Sequence, residues 1–237
     1  MGYFQKEKAK RLAEKMATTA ASPNHKDASQ PHAGLSVYEQ MLRKTNEYRS
    51  ELKQLMSVDL KAARKAEIIP EFEAYIEGVL KVKNGQQDDV LMRLFAWMID
   101  ARQYEKALEI LPYAIEYDFS IPDIDRTPHA FMTQQMGDDA DAGNIPSSSI
   151  MQQTLDIVAD LDMADPIKAK LYRYLGEAIE DEQPDQALAH FHRATQLNAN
   201  IGLKTRIKKL EKTLNQQTEN NTDAEKKQTQ PEPDQTD

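Results

Sequence analysis

The sequence predicts an all-α protein, and three observations lead to this fold class. Glu, Lys, Gln, Ala and Leu, which are good helix formers, dominate the composition. Only 8 of the 237 residues are Gly, and the sequence lacks the runs of β-branched and aromatic residues that are typical of strands. Hydrophobic residues make up 40% of the chain, which is enough apolar surface for a helical core.

The first part of the chain divides into a basic arm and a long helix. Residues 1–35 form a predicted flexible basic arm, in which only the span 6–15 favours a short helix. Residues 36–66 contain neither Gly nor Pro and predict one uninterrupted helix. Ser36 suits its N-cap, and Glu39 completes a capping box three residues later.

Apolar or small residues recur along this helix at alternating steps of three and four, the spacing of a heptad seam. They are Tyr38, Met41, Thr45, Tyr48, Leu52 and Leu55. Two interpretations are open at this point. Either the helix lies with this face on its own domain, or the face is a helix–helix contact between copies of the chain.

The middle of the chain predicts shorter helices, because Pro70 ends the long helix and suits the first turn of the next one. The predicted elements are helices at 70–82, 87–100 and 104–117, an irregular connection at 118–128 and a helical turn at 131–136. The following stretch, Gly137–Gly143, carries three Asp residues between two glycines. We predict that it is a flexible acidic loop and a hinge.

The C-terminal part predicts four more helices, over 148–161, 165–180, 184–197 and 201–214. The helix pairs 88–117 and 168–197 share a packing pattern in which Ala alternates with large apolar residues. In the second helix of each pair the matching residues are Ala107, Leu111 and Ala114, and Ala187, Phe191 and Ala194. The pattern is similar to the tetratricopeptide helix pair. A chance match of two antiparallel hairpins is the alternative, and both interpretations imply protein contacts.

These elements give a predicted domain organisation. A helical region at 36–140 is followed by a linker at 141–147 and a tetratricopeptide-like helical region at 148–214. Apolar residues nearly vanish after residue 215, so the span 215–237 is predicted to be a disordered polar tail.

We predict no catalytic residue, no metal and no cofactor. The chain has no Cys and therefore no disulfide or thiolate zinc site. It also lacks the glycine-rich phosphate loop of ATPases. Asp88 and Asp89 follow a turn at the start of a helix, where carboxylates favour capping over metal binding. His190 and His192 are two positions apart on a helix and therefore point to different faces.

The sequence also predicts a protein without membrane contact. Its first residues carry charge but no apolar segment of a signal peptide. No apolar run approaches the roughly 20 residues that a membrane span needs. We therefore expect a cytoplasmic protein.

The charge is unevenly distributed, which suggests two surfaces with different partners. Residues 1–66 hold 13 Lys and Arg against 7 Asp and Glu, whereas residues 67–146 hold 6 against 16. The cations of the long helix fall mostly outside the heptad seam, where they are placed to follow the phosphates of a duplex. These candidate DNA contacts are Arg43, Lys44, Arg49, Lys53, Lys61, Arg64 and Lys65. An ordinary solvated helix surface is the alternative.

Several segments resemble the small terminase subunit of peduovirus-type temperate tailed phages. They cover about residues 36–214 in order: Tyr38–Leu42, Leu60–Lys65, Gln87–Met92, Trp97, Ala107–Ile110, Thr127–Pro128 and Arg193–Leu197. The resemblance implies a non-catalytic subunit that binds viral double-stranded DNA at the cos region and assembles as a ring-like homo-oligomer. It also implies a separate large subunit with the ATPase and the nuclease, and action in the host cytoplasm.

The sequence departs from the family pattern at the C-terminus. The family tail is strongly basic, whereas residues 215–237 are polar and mildly acidic. The remaining basic cluster at that end, for DNA or for the large subunit, is Lys204, Arg206, Lys208, Lys209 and Lys212. In this assignment, residues 36–140 bind DNA and assemble, and residues 148–214 dock the large subunit. The alternatives are a tetratricopeptide-like adaptor without a nucleic-acid role, and a metal-dependent endonuclease with Asp88 and Asp89 as ligands.

Overall fold

The computed structural model describes residues 35–228, with side chains as far as Gln216. The described residues from Tyr38 onward belong to one compact unit. Its helices in chain order are α1 Val37–Gln54, α2 Val58–Ile68, α3 Glu73–Val82, α4 Asp89–Asp100, α5 Tyr104–Glu116, α6 Pro128–Asp141, α7 Ser148–Val158, α8 Asp165–Ile179, α9 Pro184–Leu197 and α10 Lys204–Gln228. A short 3-10 helix, Ile69–Phe72, joins α2 to α3. The described residues contain no strand beyond an isolated bridge between Ile121 and Ile124, so the all-α prediction is confirmed.

The prediction of one helix over 36–66 is wrong, because the chain leaves the helix at residues 55–57. Ser57 begins a new helix there as its N-cap, and its hydroxyl accepts a hydrogen bond from the Leu60 backbone N–H at 3.3 Å. Asp59 adds a negative charge to the first turn, where the helix dipole favours it. These local interactions compete with helix continuation. The outcome is two helices that meet at a three-residue corner.

The first hydrophobic core forms around α4. Every residue from Val90 to Ile99 except Arg93 is buried. A helix that is apolar on nearly all sides has to be enclosed by other elements, and α2, α5 and α6 pack around it. Leu52 of α1 and Phe72 of the 3-10 helix complete this core.

The second hydrophobic core forms between α8 and α9. The three residues that the repeat pattern placed in the second helix of this pair are fully buried: Ala187, Phe191 and Ala194. Their counterparts on α5 are equally buried: Ala107, Leu111 and Ala114. The predicted packing faces are therefore confirmed, whereas the tetratricopeptide-like character of the pairs remains an interpretation.

Helix α6 contributes to both cores. Met132 and Met136 lie in the first core, and Ala140 lies in the second. The helix continues to Asp141, so the prediction of a flexible acidic loop over Gly137–Gly143 is wrong for most of that stretch.

The acidic residues of α6 have partners on both sides, which explains why this stretch is helical. Asp138 and Asp141 both pair with the Lys170 ammonium of α8, at 2.8 and 2.6 Å. Asp139 accepts a hydrogen bond from the Tyr104 hydroxyl of α5 at 2.5 Å. The carboxylates thus connect α6 to the helices of both cores.

Helix α10 extends further than the sequence predicted. Ile207 and Leu210 anchor it in the second core. The expectation of a disordered tail does not hold for residues 215–228, where neither Gly nor Pro interrupts the helix. No helix in the described residues, including the 25-residue α10, combines the length and apolar character that crossing a membrane requires. The predicted arm at 1–34 and residues 229–237 lie outside the described residues, and the division at 141–147 stays a prediction.

Candidate functional site

Most of the basic residues predicted on α1 and α2 lie in ion pairs. Arg64 is the most engaged, because its Nε lies 2.6 Å from Glu51 Oε1 and its Nη1 lies 2.9 Å from Glu67 Oε2. The other ion pairs are Arg43–Glu47 at 3.8 Å, Lys44–Glu71 at 2.8 Å, Arg49–Asp123 at 2.7 Å, and Lys65–Asp100. In the described part of the chain, Lys53 and Lys61 have no ion-pair partner.

These ion pairs keep the neighbouring carboxylates charged. The hydrogen bond from Arg64 lowers the pKa of Glu51. Hydrogen bonds from Lys44 and from Tyr48 lower the pKa of Glu71. A DNA phosphate that approached α1 and α2 would therefore compete with charged carboxylates for the same cations.

The apolar face of α1 lies on the chain's own first core. Of the six predicted seam residues, Thr45 and Leu52 are buried in this region, and Tyr38, Met41, Tyr48 and Leu55 pack against the core. The sequence left two interpretations open for this face. In the structure, α1 packs as an amphipathic helix on its own domain. Tyr38, Met41, Tyr48 and Leu55 remain partly exposed, so a contact between copies along this face stays a prediction.

The second basic cluster lies on α10 and faces away from the core. Lys204, Lys208 and Lys212 follow one another at intervals of four residues, and Lys209 lies beside them. A helix rises about 1.5 Å per residue, so successive lysines in this row are about 6 Å apart. All four are exposed, and none has an ion-pair partner within the residues whose side chains are described.

Arg206 differs from the four lysines. Its guanidinium pairs with Glu180 and lies 3.4 Å from Glu177, both on or next to α8. It also lies over the Phe191 ring, 5.4 Å from the ring centroid. Arg206 therefore holds α10 on the α8–α9 pair, and the four lysines are the exposed charges of the cluster. We call Lys204, Lys208, Lys209 and Lys212 the α10 lysine row.

Asp88 is a helix cap, which confirms its predicted structural role. One carboxylate oxygen accepts a hydrogen bond from the Leu91 backbone N–H at 2.8 Å, and the other accepts one from the Tyr75 hydroxyl at 2.6 Å. Within residues 35–216, no three His, Asp or Glu side chains form a group that could hold a metal ion. His190 is partly buried beside the Tyr172 ring, and this burial lowers its pKa.

The hydrogen-bonded carboxylate of Asp141 gives a pH-dependent contribution to stability. Hydrogen bonds from Lys170 and from the Tyr174 hydroxyl lower the pKa of Asp141. Burial and the same hydrogen bond raise the pKa of Tyr174 to about 12. The folded protein therefore stabilises the deprotonated form of Asp141 more than the unfolded chain does.

We expect the stabilisation by Asp141 to be lost on acidification. It is complete above the unfolded pKa of about 3.9 and disappears as the pH falls through the lower folded value. Urea unfolding of the parent and of Asp141→Asn should show a stability gap that is constant from about pH 7 to about pH 5 and closes towards about pH 3. Asp160→Asn, which removes an exposed carboxylate without an ion pair, is the control. A gap that persists unchanged at the lowest pH would contradict the expectation.

Arg93 and Asp123 were not among the predicted site residues. Arg93 is the single charged residue between Val90 and Ile99. A lone Arg in an otherwise apolar helix was the sequence feature that could have indicated a buried charge with a partner. Its Nη1 lies 3.3 Å from Asp123 Oδ2, the same oxygen that lies 2.7 Å from Arg49 Nη2. Asp123 lies in the connection between α5 and α6, so this arrangement depends on the tertiary structure.

Comparison with known proteins identifies the family. Residues 41–166 match the family model of the phage small terminase subunit. The terminase, endonuclease subunit of Escherichia phage P2 is 36% identical over 205 residues, which cover 84% of this chain and 83% of that relative. No solved structure matches the chain. The match over more than half of the chain and the identity over most of it show that the chain belongs to the phage small terminase subunit family.

Proposed function

We propose that this small terminase subunit binds viral double-stranded DNA at the packaging site, the cos region, and recruits the large subunit that cuts and packages the DNA. Family membership supports the packaging role. The observation that carries the DNA contact is the α10 lysine row, four exposed cations without acidic partners among the described side chains. The proposed place of action is the host cytoplasm, and catalysis is assigned to the large subunit.

The chemistry of the α10 lysine row favours contact with phosphates. Lysine is a compact charge on a flexible stem, which suits it to phosphate contacts that need no fixed geometry. Contacts of this kind position a protein on a duplex and add affinity without reading the sequence. We therefore assign the row to affinity, and we assign sequence recognition to another part of the chain.

Helices α1 and α2 form the second proposed DNA surface. Lys53 and Lys61 are available directly, whereas Arg43, Lys44 and Arg64 have to exchange a carboxylate for a phosphate. Exposed ion pairs contribute roughly 0–1 kcal/mol, so this exchange costs little. Several copies bound to one DNA would add such modest contacts through multivalency.

We further propose that the chain assembles with itself in a ring and docks the large subunit through α7 to α10. Three exposed apolar residues at the corner between α1 and α2 support a protein contact there: Met56, Val58 and Leu60, at 91%, 79% and 59% exposure. This corner, unlike the buried face of α1, is free to meet another protein surface.

We expect Lys208→Gln with Lys212→Gln to weaken DNA binding strongly at low salt. Fluorescence anisotropy with labelled cos duplex, measured over a range of KCl concentrations, should show a salt dependence reduced by about 0.9 for each phosphate that the variant no longer neutralises. Lys81→Gln with Lys83→Gln, which removes two exposed cations elsewhere, controls for net charge. Equal binding by both variants would remove the α10 lysine row from the DNA surface. No binding by the parent chain even at low salt would favour the tetratricopeptide-like adaptor.

The name of the phage P2 relative, an endonuclease subunit, favours a second candidate, a metal-dependent nuclease. Asp88 and Asp89 are the residues to test. Asp88 is a helix cap with both oxygens hydrogen-bonded, so Asp89→Ala is the less disruptive variant. DNA cleavage by the purified chain with Mg²⁺ or Mn²⁺, abolished in a folded Asp89→Ala variant, would establish catalysis in this subunit.

A further inference from the structure

Two arginines from different helices converge on one carboxylate oxygen. Arg49 of α1 places Nη2 2.7 Å from Asp123 Oδ2, and Arg93 of α4 places Nη1 3.3 Å from the same atom. The two guanidinium groups therefore share a single oxygen. We call Arg49 and Arg93 together the arginine notch.

The arginine notch offers more charge and more donors than Asp123 can satisfy. Two positive groups face one negative group, so a net positive charge remains. The Arg93 side chain is only 13% exposed, and its Nε is buried without a hydrogen-bond partner among the described residues. Because α1 and α4 both belong to the first core, the fold holds the two like charges near each other.

Asp123 is the least constrained member of the three. Its side chain is 57% exposed, and it lies in the connection between α5 and α6. Its φ of +66° is in the left-handed region, which Asp tolerates better than most residues but at some cost. Its exposed side chain can rotate away from the arginines while the backbone turn stays in place.

A phosphate group can take the place of the carboxylate in the arginine notch. A guanidinium donates through several N–H groups in a planar fork, and this geometry matches two oxygens of a phosphate. A phosphodiester shares its single negative charge between two non-bridging oxygens, so each arginine can take one of them. The Oδ2 atom of Asp123 now serves both arginines alone.

We propose that the arginine notch is a binding site for one phosphodiester of the DNA backbone, and that Asp123 occupies this site until DNA displaces it. The proposal rests on the proposed DNA-binding function and adds a residue to it, Arg93, together with a built-in competitor. It follows that removal of the competing carboxylate strengthens DNA binding, whereas removal of a carboxylate elsewhere changes only the net charge.

The test compares two carboxylates of the same connection. Asp123→Asn removes the competitor and retains a residue that tolerates a positive φ. Asp125→Asn removes the same charge from an exposed residue without an ion pair in the described structure. We expect Asp123→Asn to bind labelled duplex DNA several-fold more tightly than Asp125→Asn. We also expect its salt dependence to be steeper by about 0.9, the value for one additional neutralised phosphate.

A second pair of variants tests the arginines without relying on a change of charge. Arg93→Lys retains the positive charge but removes the planar fork. In the Asp123→Asn background it should return the affinity to that of Asp125→Asn, and Arg49→Lys should do the same. Thermal unfolding of each variant confirms that the fold is intact, so that a lower affinity is attributed to the altered side chain.

The outcomes separate this proposal from the proposed function. If the parent binds DNA but Asp123→Asn binds no better than Asp125→Asn, the arginine notch is not a phosphate site and DNA binding stands. If no variant binds DNA at low salt, both proposals fail. If inorganic phosphate at constant ionic strength reduces the advantage of Asp123→Asn, phosphate competes with the DNA backbone for the arginine notch, which supports the proposal.

Discussion

Gly176→Val is expected to destabilise the protein by about 3 kcal/mol, at the upper end of the range for overpacked cores. A Cβ atom at this position of α8 would lie 2.6 Å from Phe191 Cε1 and 3.2 Å from the backbone oxygen of Ala187. Phe191 is fully buried, so its ring has no free space into which to move. Urea unfolding followed by far-UV circular dichroism measures the change.

Gly78 of α3 provides the matched control. A Cβ built at this position meets open space, and the residue is in a helix. Gly78→Ala should therefore stabilise the protein by roughly 0.5–1 kcal/mol, because Ala loses less conformational freedom than Gly on folding. An unchanged unfolding midpoint for Gly176→Val would mean that α8 and α9 do not cross as closely as the structure has them.

The crossing at Gly176 also matters for the proposed function. The Phe191 ring lies against Gly176 and also beneath the Arg206 guanidinium of α10. A displaced Phe191 ring would therefore disturb the position of α10. We expect Gly176→Val to lower DNA binding together with stability, whereas variants of the α10 lysine row lower DNA binding alone.

Phe72→Ala is expected to destabilise the protein by about 3–5 kcal/mol, as is usual for deletion of a large buried aromatic side chain. Phe72 is fully buried in the first core. Its ring lies edge-on to Tyr48 at a centroid distance of 6.3 Å, and Lys44 Nζ lies 4.9 Å from its centroid. Its removal takes away part of the surface against which α1 packs. Amide hydrogen exchange should therefore increase more in α1 than in α8, relative to the parent protein.

Val82→Ala is the control for Phe72→Ala. Val82 is 71% exposed at the end of α3, so truncation there should change the free energy of unfolding by less than about 0.5 kcal/mol. If Phe72→Ala destabilised the protein no more than Val82→Ala did, the position of Phe72 at the junction of α1 with the core would be wrong.

The helices that the sequence predicts best are those with strong apolar periodicity. In α4, α5, α8 and α9 the pattern marks both the helix and its buried face, because the spacing of residues on a helix is a local property. The corner at residues 55–57 was not predicted. The heptad pattern ends at Leu55, and the absence of Gly and Pro from residues 36–66 favours a continuous helix over the break that the Ser57 cap makes.

The candidate site was harder to predict than the fold. The α10 lysine row follows from the sequence, because the row and the anchoring residues Ile207 and Leu210 lie on one helix. The sequence does not show which cations of α1 and α2 lie in ion pairs. Lys65 pairs with Asp100, 35 residues away, and no pattern within either segment indicates that contact.

The helical class, the buried faces of the helix pairs and the resemblance to the small terminase subunit were all predictable from the amino-acid sequence. These depend on composition, on periodicity and on short segments, all of which are local. In contrast, the packing of the helices determines which charges are free, that the acidic residues of α6 are paired, and that Arg49, Arg93 and Asp123 meet. Ion pairing depends on distances between residues far apart in the chain, and folding alone sets those distances.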